Sequence, residues 1–191
     1  MNTLTELITT HQTVFTTKEV EEIVTIPTQR GVERFLRRAK KDGRLLNPHK
    51  GIRTLPVYDH HELACKLYPW SYISLETVLY EAGVVFQRYG SSTRLIRSNT
   101  REFVFDDHHY ITRKVKDELL HNDTGVRTHG NYRMATPERA LCDMIYLRPD
   151  PQLDNPQYFH NPQSISRLQK LLPLYPHTVQ VYVQKLLLSK V

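Results

Sequence analysis

Apolar residues in the first forty positions recur at helical spacing in three short runs. Leu4, Leu7 and Ile8 make the first stripe, Val20, Ile23 and Val24 the second. Val32, Phe35, Leu36 and Ala39 make the third, at i, i+3, i+4 and i+7. End signals bound these runs. Thr16 and Glu19 have the spacing of a capping box, so a helix is expected to start there. It should stop before Pro27, because the residue preceding proline resists helical dihedrals. Pro27 and Thr28 read as the next helix start and Gly43 as its C′ stop. Between Arg44 and Leu55, two short strand-like pieces flank Asn47, Pro48 and Gly51, a hairpin pattern with Lys50 at its tip.

Beyond Pro69 the pattern predicts a second set of elements. Ser74 is the expected cap of a helix whose face is Leu75, Val78, Leu79 and Ala82, ended by Gly83. Strand-like runs follow at 84–86, 94–96, 102–105 and 109–112. Thr136 caps and Pro137 opens another helix, with Ala140, Leu141, Met144 and Leu147 facing inward. A proline-rich loop over 148–162 precedes two final helices, near 164–172 and 178–190. The stretch 57–70 reads as a connector. Its His60-His61-Glu62 lacks a third ligand at useful spacing, so a solvent-exposed turn is expected and no metal.

Charge changes this picture. The 191 residues carry a net charge of +6, with a pI near 9.3. Between Val24 and Arg53, nine Lys/Arg stand against two acids, so this one segment exceeds the whole chain in net positive charge. Advancing about 100° per residue from Val32 sets the apolar four near 350° and Arg30, Arg34, Arg37 and Lys41 at about 140–200°. The face opposite the core stripe is thus purely cationic. Solvated helices usually interleave opposite signs for pair stability, so an external polyanion is the expected partner.

Helix, helix, basic helix and basic hairpin follow in the order of a winged helix-turn-helix, which implies double-stranded DNA. Thr28, Gln29, Arg30 and Arg34, at the helix start, are placed for base edges. Arg37, Arg38, Lys41, Lys50 and Arg53 are placed for phosphates. Gly31, inside the helix, costs about 1 kcal/mol in propensity. Close backbone approach and simple tolerance near a helix end account for it equally well. The fold class expected is α+β: a winged helix-turn-helix over residues 1–58, a connector over 59–70 and a mixed α/β domain over 71–191.

Other chemistries find little support. Cys65 and Cys142 offer no disulfide framework or zinc spacing, and fit a reducing compartment. No apolar run reaches the roughly 18 residues of a membrane span, and the N-terminal residues do not resemble a secretory signal. A cytoplasmic protein without membrane, metal or cofactor is expected. Gly90-Ser91-Ser92 resembles the opening of a nucleotidyltransferase site, but no paired acids follow before Arg101, and Asp106-Asp107 would diverge if extended. His108-His109 would likewise present one imidazole per face. No catalytic residues, and no enzyme, are expected.

Phe15-Thr16-Thr17, the step from Leu36 through Gly43-Arg44-Leu45, Tyr72-Ile73-Ser74-Leu75-Glu76 and Ala135-Thr136-Pro137-Glu138-Arg139-Ala140-Leu141 together resemble the AbiEi antitoxins of type IV toxin–antitoxin systems. The likeness runs in order along most of the chain and departs at Gly51-Ile52-Arg53 and over 106–131. It implies a winged helix that binds inverted repeats in its own promoter and represses. It also implies a C-terminal domain that counters a cognate nucleotidyltransferase-like toxin. The alternative is a stand-alone transcriptional regulator whose second domain dimerises or binds a ligand. In that domain Arg94, Arg97, Arg101, Arg113, Lys114 and Lys116 are candidate contacts.

Overall fold

The computed structural model describes residues 3–87 and 91–189. The chain divides into two compact units, residues 1–69 and 70–191, each α+β. Among the described residues no helix is long and apolar enough to cross a membrane.

The first unit runs α1 (Thr3–Ile8), β1 (Val14–Thr16), α2 (Thr17–Ile23), α3 (Gln29–Lys41), β2 (Ile52–Thr54) and α4 (His60–Leu67). The Thr16–Glu19 capping box is present in both directions and starts α2. Thr28 caps α3, its hydroxyl accepting from Gly31 N at 3.2 Å. Gly43, at φ 66°, closes α3: its N–H reaches Lys40 O at 3.1 Å while Arg44 N reaches Ala39 O at 2.8 Å. That pair of bonds is a Schellman motif. Val32, Leu36 and Ala39 meet Leu7, Phe15, Val20, Val24 and Leu45 in one core, with Phe35 half-buried at its edge. Ile8, expected on the inner face of α1, is exposed.

The hairpin differs from expectation in one respect. Its first arm is a single bridge, Leu46 to Thr54, and β2 finds its main partner in β1 instead. Val14 and Phe15 are fully buried there. The expected connector is also different. Residues 60–67 fold as α4, capped by Asp59, and belong to the first unit. Glu62 is buried, not in an exposed turn, because its carboxylate accepts from Thr13 N (2.8 Å), Thr13 Oγ1 (2.7 Å) and Val14 N (3.1 Å). Lys66 pairs with Glu19, tying α4 to the start of α2. Burial raises the Glu19 pKa, but the Lys66 ammonium and the Thr16 hydrogen bonds outweigh that and hold it below its usual range.

The second unit continues β3 (Tyr72–Ile73), α5 (Glu76–Glu81), β4 (Ser92–Arg97), β5 (Arg101–Phe105), β6 (His108–Lys114), α6 (Asp117–Leu120), β7 (Val126–His129), β8 (Tyr132–Ala135), α7 (Pro137–Leu147), α8 (Pro162–Leu171) and α9 (His177–Leu188). The strands form a mixed sheet in the order β5-β6-β4-β3-β8-β7, parallel only at β6-β4 and β3-β8. Residues 84–86 are not a strand; Val84 and Val85 are buried, and Val84 O accepts from the backbone of Asp154 and Asn155. The 148–162 stretch contains a short 3₁₀ turn at Pro156–His160.

Two charged residues on α7 organise this unit. Arg139 and Asp143 have fully buried side chains, and every N–H of the guanidinium is used. It donates to Asp143 Oδ1 (3.2 Å), the Tyr72 hydroxyl (2.8 Å) and the carbonyls of Leu119 (2.7 Å), Asn122 (3.2 Å) and Thr124 (3.0 Å). Asp143 also accepts from Tyr175 (2.6 Å), Tyr72 (3.0 Å) and Ser74 (2.8 Å). Ser74 is therefore not the cap of α5. Leu75 holds that position at φ 60° without a side-chain cap bond, because the Ser74 hydroxyl is spent on Asp143.

Candidate nucleic-acid interface

Most of the expected site residues come together on α3. Thr28, Gln29, Arg30, Arg34, Arg37, Arg38 and Lys41 are all exposed there, and Lys50 is exposed near the hairpin tip. The core stripe of Val32, Leu36 and Ala39 fixes the helix's rotation, so the arginines at 30, 34 and 37 must point outward. Among the described residues, Arg30, Arg34, Arg37, Lys41 and Lys50 have no acidic side chain within ion-pair distance. Their charge is uncompensated by the fold.

Two shallow grooves flank this helix. Arg30, Glu33, Arg34, Arg37, Arg38 and Lys41 line one. The other lies towards the hairpin, where Thr17, Lys40, Asn47 and Arg53 meet Glu33 and Arg37. The sequence pattern does not single out Glu33, Lys40, Thr17 or Asn47. Lys40 and Glu33 sit beside the cationic arc on the helical projection, so a wider arc would have included them. Thr17 and Asn47 reach the groove only through the β1-β2 pairing, which leaves no periodic signal.

The protein itself holds some of the expected contacts. Arg53 is half-buried and donates to Asn47 Oδ1 and to its neighbour's carbonyl, Ile52 O, at 2.9 Å. Desolvation lowers its pKa from the usual arginine value. Its guanidinium braces the hairpin, leaving less of it for a phosphate. Arg38 is drawn towards Asp42 at 3.8 Å, a carboxylate that Arg44 already holds at 2.7 Å. At the hairpin tip, Gly51 adopts φ 81°, and its carbonyl accepts from Thr17 N at 2.8 Å. The tip is thereby fixed against the start of α2, with Lys50 outward.

Gly31 has a packing reason. A Cβ there would stand 2.5 Å from Ile26 Cγ2 and 3.0 Å from the capping hydroxyl of Thr28. The neighbour is the Ile26 side chain and not an approaching backbone.

Of the Gly90-Ser91-Ser92, Asp106-Asp107 and His108-His109 patterns, the structure brings Ser91 and His108 together. Gly90 lies outside the described residues. The Ser91 hydroxyl meets His108 Nδ1 at 2.7 Å, and Thr93 meets Nε2 at 2.9 Å, so two hydroxyls clasp one buried imidazole. Asp106 and Asp107 both have positive φ and form the β5-β6 turn. His109 turns away to Glu102 at 2.7 Å. Among the described residues no group of three His, Cys, Asp or Glu side chains could hold a metal.

No family model matches this chain, and no curated protein matches it in sequence. Among solved structures, the crystal structure of the Rv2827c protein from Mycobacterium tuberculosis is similar, with a TM-score of 0.61. The match covers 96% of this chain and 74% of that one at 14% identity, which is a likeness of fold.

Proposed function

We propose that this chain is the DNA-binding antitoxin of a type IV toxin–antitoxin pair, acting in the cytoplasm. In this reading the first unit is a winged helix-turn-helix. Its α3 enters the major groove of promoter inverted repeats and represses the promoter, while residues 70–191 counter a nucleotidyltransferase-like toxin. The observation that carries the DNA half is the α3 face, where four cations over three helical turns lack any internal counter-charge among the described residues. Like charges one turn apart raise the energy of the free protein, and DNA phosphates relieve it. The capped start of α3 leaves Gln29, Arg30 and Arg34 foremost, where Arg can fork onto guanine and Gln onto adenine. The order of helices and hairpin supports the winged-helix reading, and the AbiEi-like segments support the antitoxin half.

The test uses the full chain and the product of the neighbouring gene. That product should arrest growth when expressed alone, and co-expression of the chain should restore it. An Arg30→Gln/Arg34→Gln variant should lose promoter repression and still restore growth. A harmless neighbouring product would overturn the antitoxin half and leave a DNA-binding regulator. Unaltered repression by the variant would overturn the role of α3.

A further inference from the structure

A second group of arginines lies in the other unit, in a cleft of about 230 Å³ between the start of α5, the end of α7 and the sheet. We propose that this cleft binds the phosphate monoester of a small molecule, a nucleotide being the form that suits its walls. Arg94, Arg113 and Arg148 line it, with Glu76 the one acid among its described lining residues. Glu76 holds Arg94 at 3.5 Å through one oxygen and Arg148 at 4.0 Å through the other, which sets the two guanidiniums side by side. Arg113 stands on β6, paired with Ile96 while Arg94 pairs with Ile111, so both arginines project from the same face of the sheet. Arg113 is half-buried and has no hydrogen-bond or ion-pair partner among the described residues.

Among the described lining residues, three guanidiniums stand against one carboxylate, a net of two positive charges. A phosphate monoester carries about −1.5 to −2 at pH 7 and matches that excess, whereas the diester of a nucleic-acid backbone carries only about one charge. Arginine forks suit planar pairs of phosphate oxygens. Leu75, Met144 and Leu147 supply an apolar wall beside the charges, which suits a base or similar ring. The volume lies somewhat under the ~300 Å³ at which ordinary ligand pockets begin, so the cleft takes the phosphate end of a molecule and leaves the rest at its rim. This site is independent of the DNA reading, since α3 is in the other unit.

Calorimetric titration of the full chain at low salt tests it, with adenosine 5′-monophosphate as the probe. Inorganic phosphate, adenosine and the cyclic 3′,5′ diester serve as comparison ligands. The monophosphate should bind at least tenfold more tightly than the diester, inorganic phosphate should compete with it, and adenosine alone should not bind. Arg113→Gln and Arg148→Gln should each weaken binding at least tenfold, as loss of a charge-assisted pair does. The Arg148 side chain is 58% exposed, so its variant keeps the fold and the test stands even where the Arg113 variant does not fold. Arg30→Gln/Arg34→Gln should bind the monophosphate unchanged. Absence of binding, equal binding of the diester, indifference to both cleft variants, or loss in the α3 variant would each overturn the proposal.

Discussion

Replacing Arg139 by methionine removes a charge from the centre of the second unit while nearly preserving side-chain volume. The structure sets the size of the effect. The side chains of Arg139 and Asp143 are both 0% exposed, so the variant leaves a carboxylate buried without its counter-charge. It also strips the donors from three carbonyls, those of Leu119, Asn122 and Thr124. Breaking one side of a buried pair costs about 3–5 kcal/mol. In a domain of this size each kcal/mol moves the melting temperature by roughly 4 °C, giving a drop of roughly 12–20 °C. Asp143→Leu should cost a similar amount, because it leaves the guanidinium unpaired. The double variant Arg139→Met/Asp143→Leu should cost clearly less than the two single losses combined, by roughly 2–4 kcal/mol, since neither charge is then stranded. Differential scanning calorimetry of the full chain reads all three, and the transition of residues 1–69 should not move. A single-variant loss below about 1 kcal/mol, or strict additivity in the double, would refute the claim that this pair is desolvated and organises the unit.

Further outcomes follow from the first unit. Gly31→Ala should gain about 1 kcal/mol of helix propensity yet lose more through the Ile26 overlap and the disturbed Thr28 cap, so a lower melting temperature is expected; a higher one would show that Ile26 yields freely. Because the Glu19 carboxyl is held below its usual range, its contribution is present above the unfolded carboxyl pKa and fades as pH falls through the folded value. Urea melts at pH 6 and pH 3 should therefore differ less for Glu19→Gln than for the parent chain. Arg53→Gln should lower stability with little effect on the salt dependence of DNA binding, while Lys50→Gln should do the reverse, because only the former is bound within the hairpin.

How much of this could be read from the sequence depended on whether a residue's reason was local. α3 was legible in full, since its stripe, its cap at Thr28 and its stop at Gly43 all lie within sixteen residues. The cationic face followed from that rotation alone. β1 was not legible as a strand: three residues carry no alternation, and the strand exists because β2 returns to it 36 to 40 positions later. α4 was obscured by His60-His61-Glu62, whose polarity suggested solvent. Glu62 is buried because Thr13 and Val14, 49 and 48 positions earlier in the chain, supply donors to it. Ser74 had the identity of a cap, but a carboxylate 69 residues away claims its hydroxyl. β7 and β8 are largely exposed or half-exposed, so neither shows an apolar face to find. Of the nine residues expected at DNA, Arg53 is already engaged by Asn47 across the hairpin, which no helical projection displays.

On the proposed reading, the α3 face meets phosphates and bases. The salt dependence of DNA affinity measures this most directly, using fluorescence anisotropy of a labelled duplex with the full chain and with a variant in which Arg30, Arg34, Arg37 and Lys41 are all glutamine. Each phosphate that the variant no longer neutralises should flatten the plot of log affinity against log salt by about 0.9. The variant's slope should be shallower by roughly 2–4, with its far-ultraviolet circular dichroism unchanged. A variant that binds with the parent slope would place the DNA elsewhere than on α3.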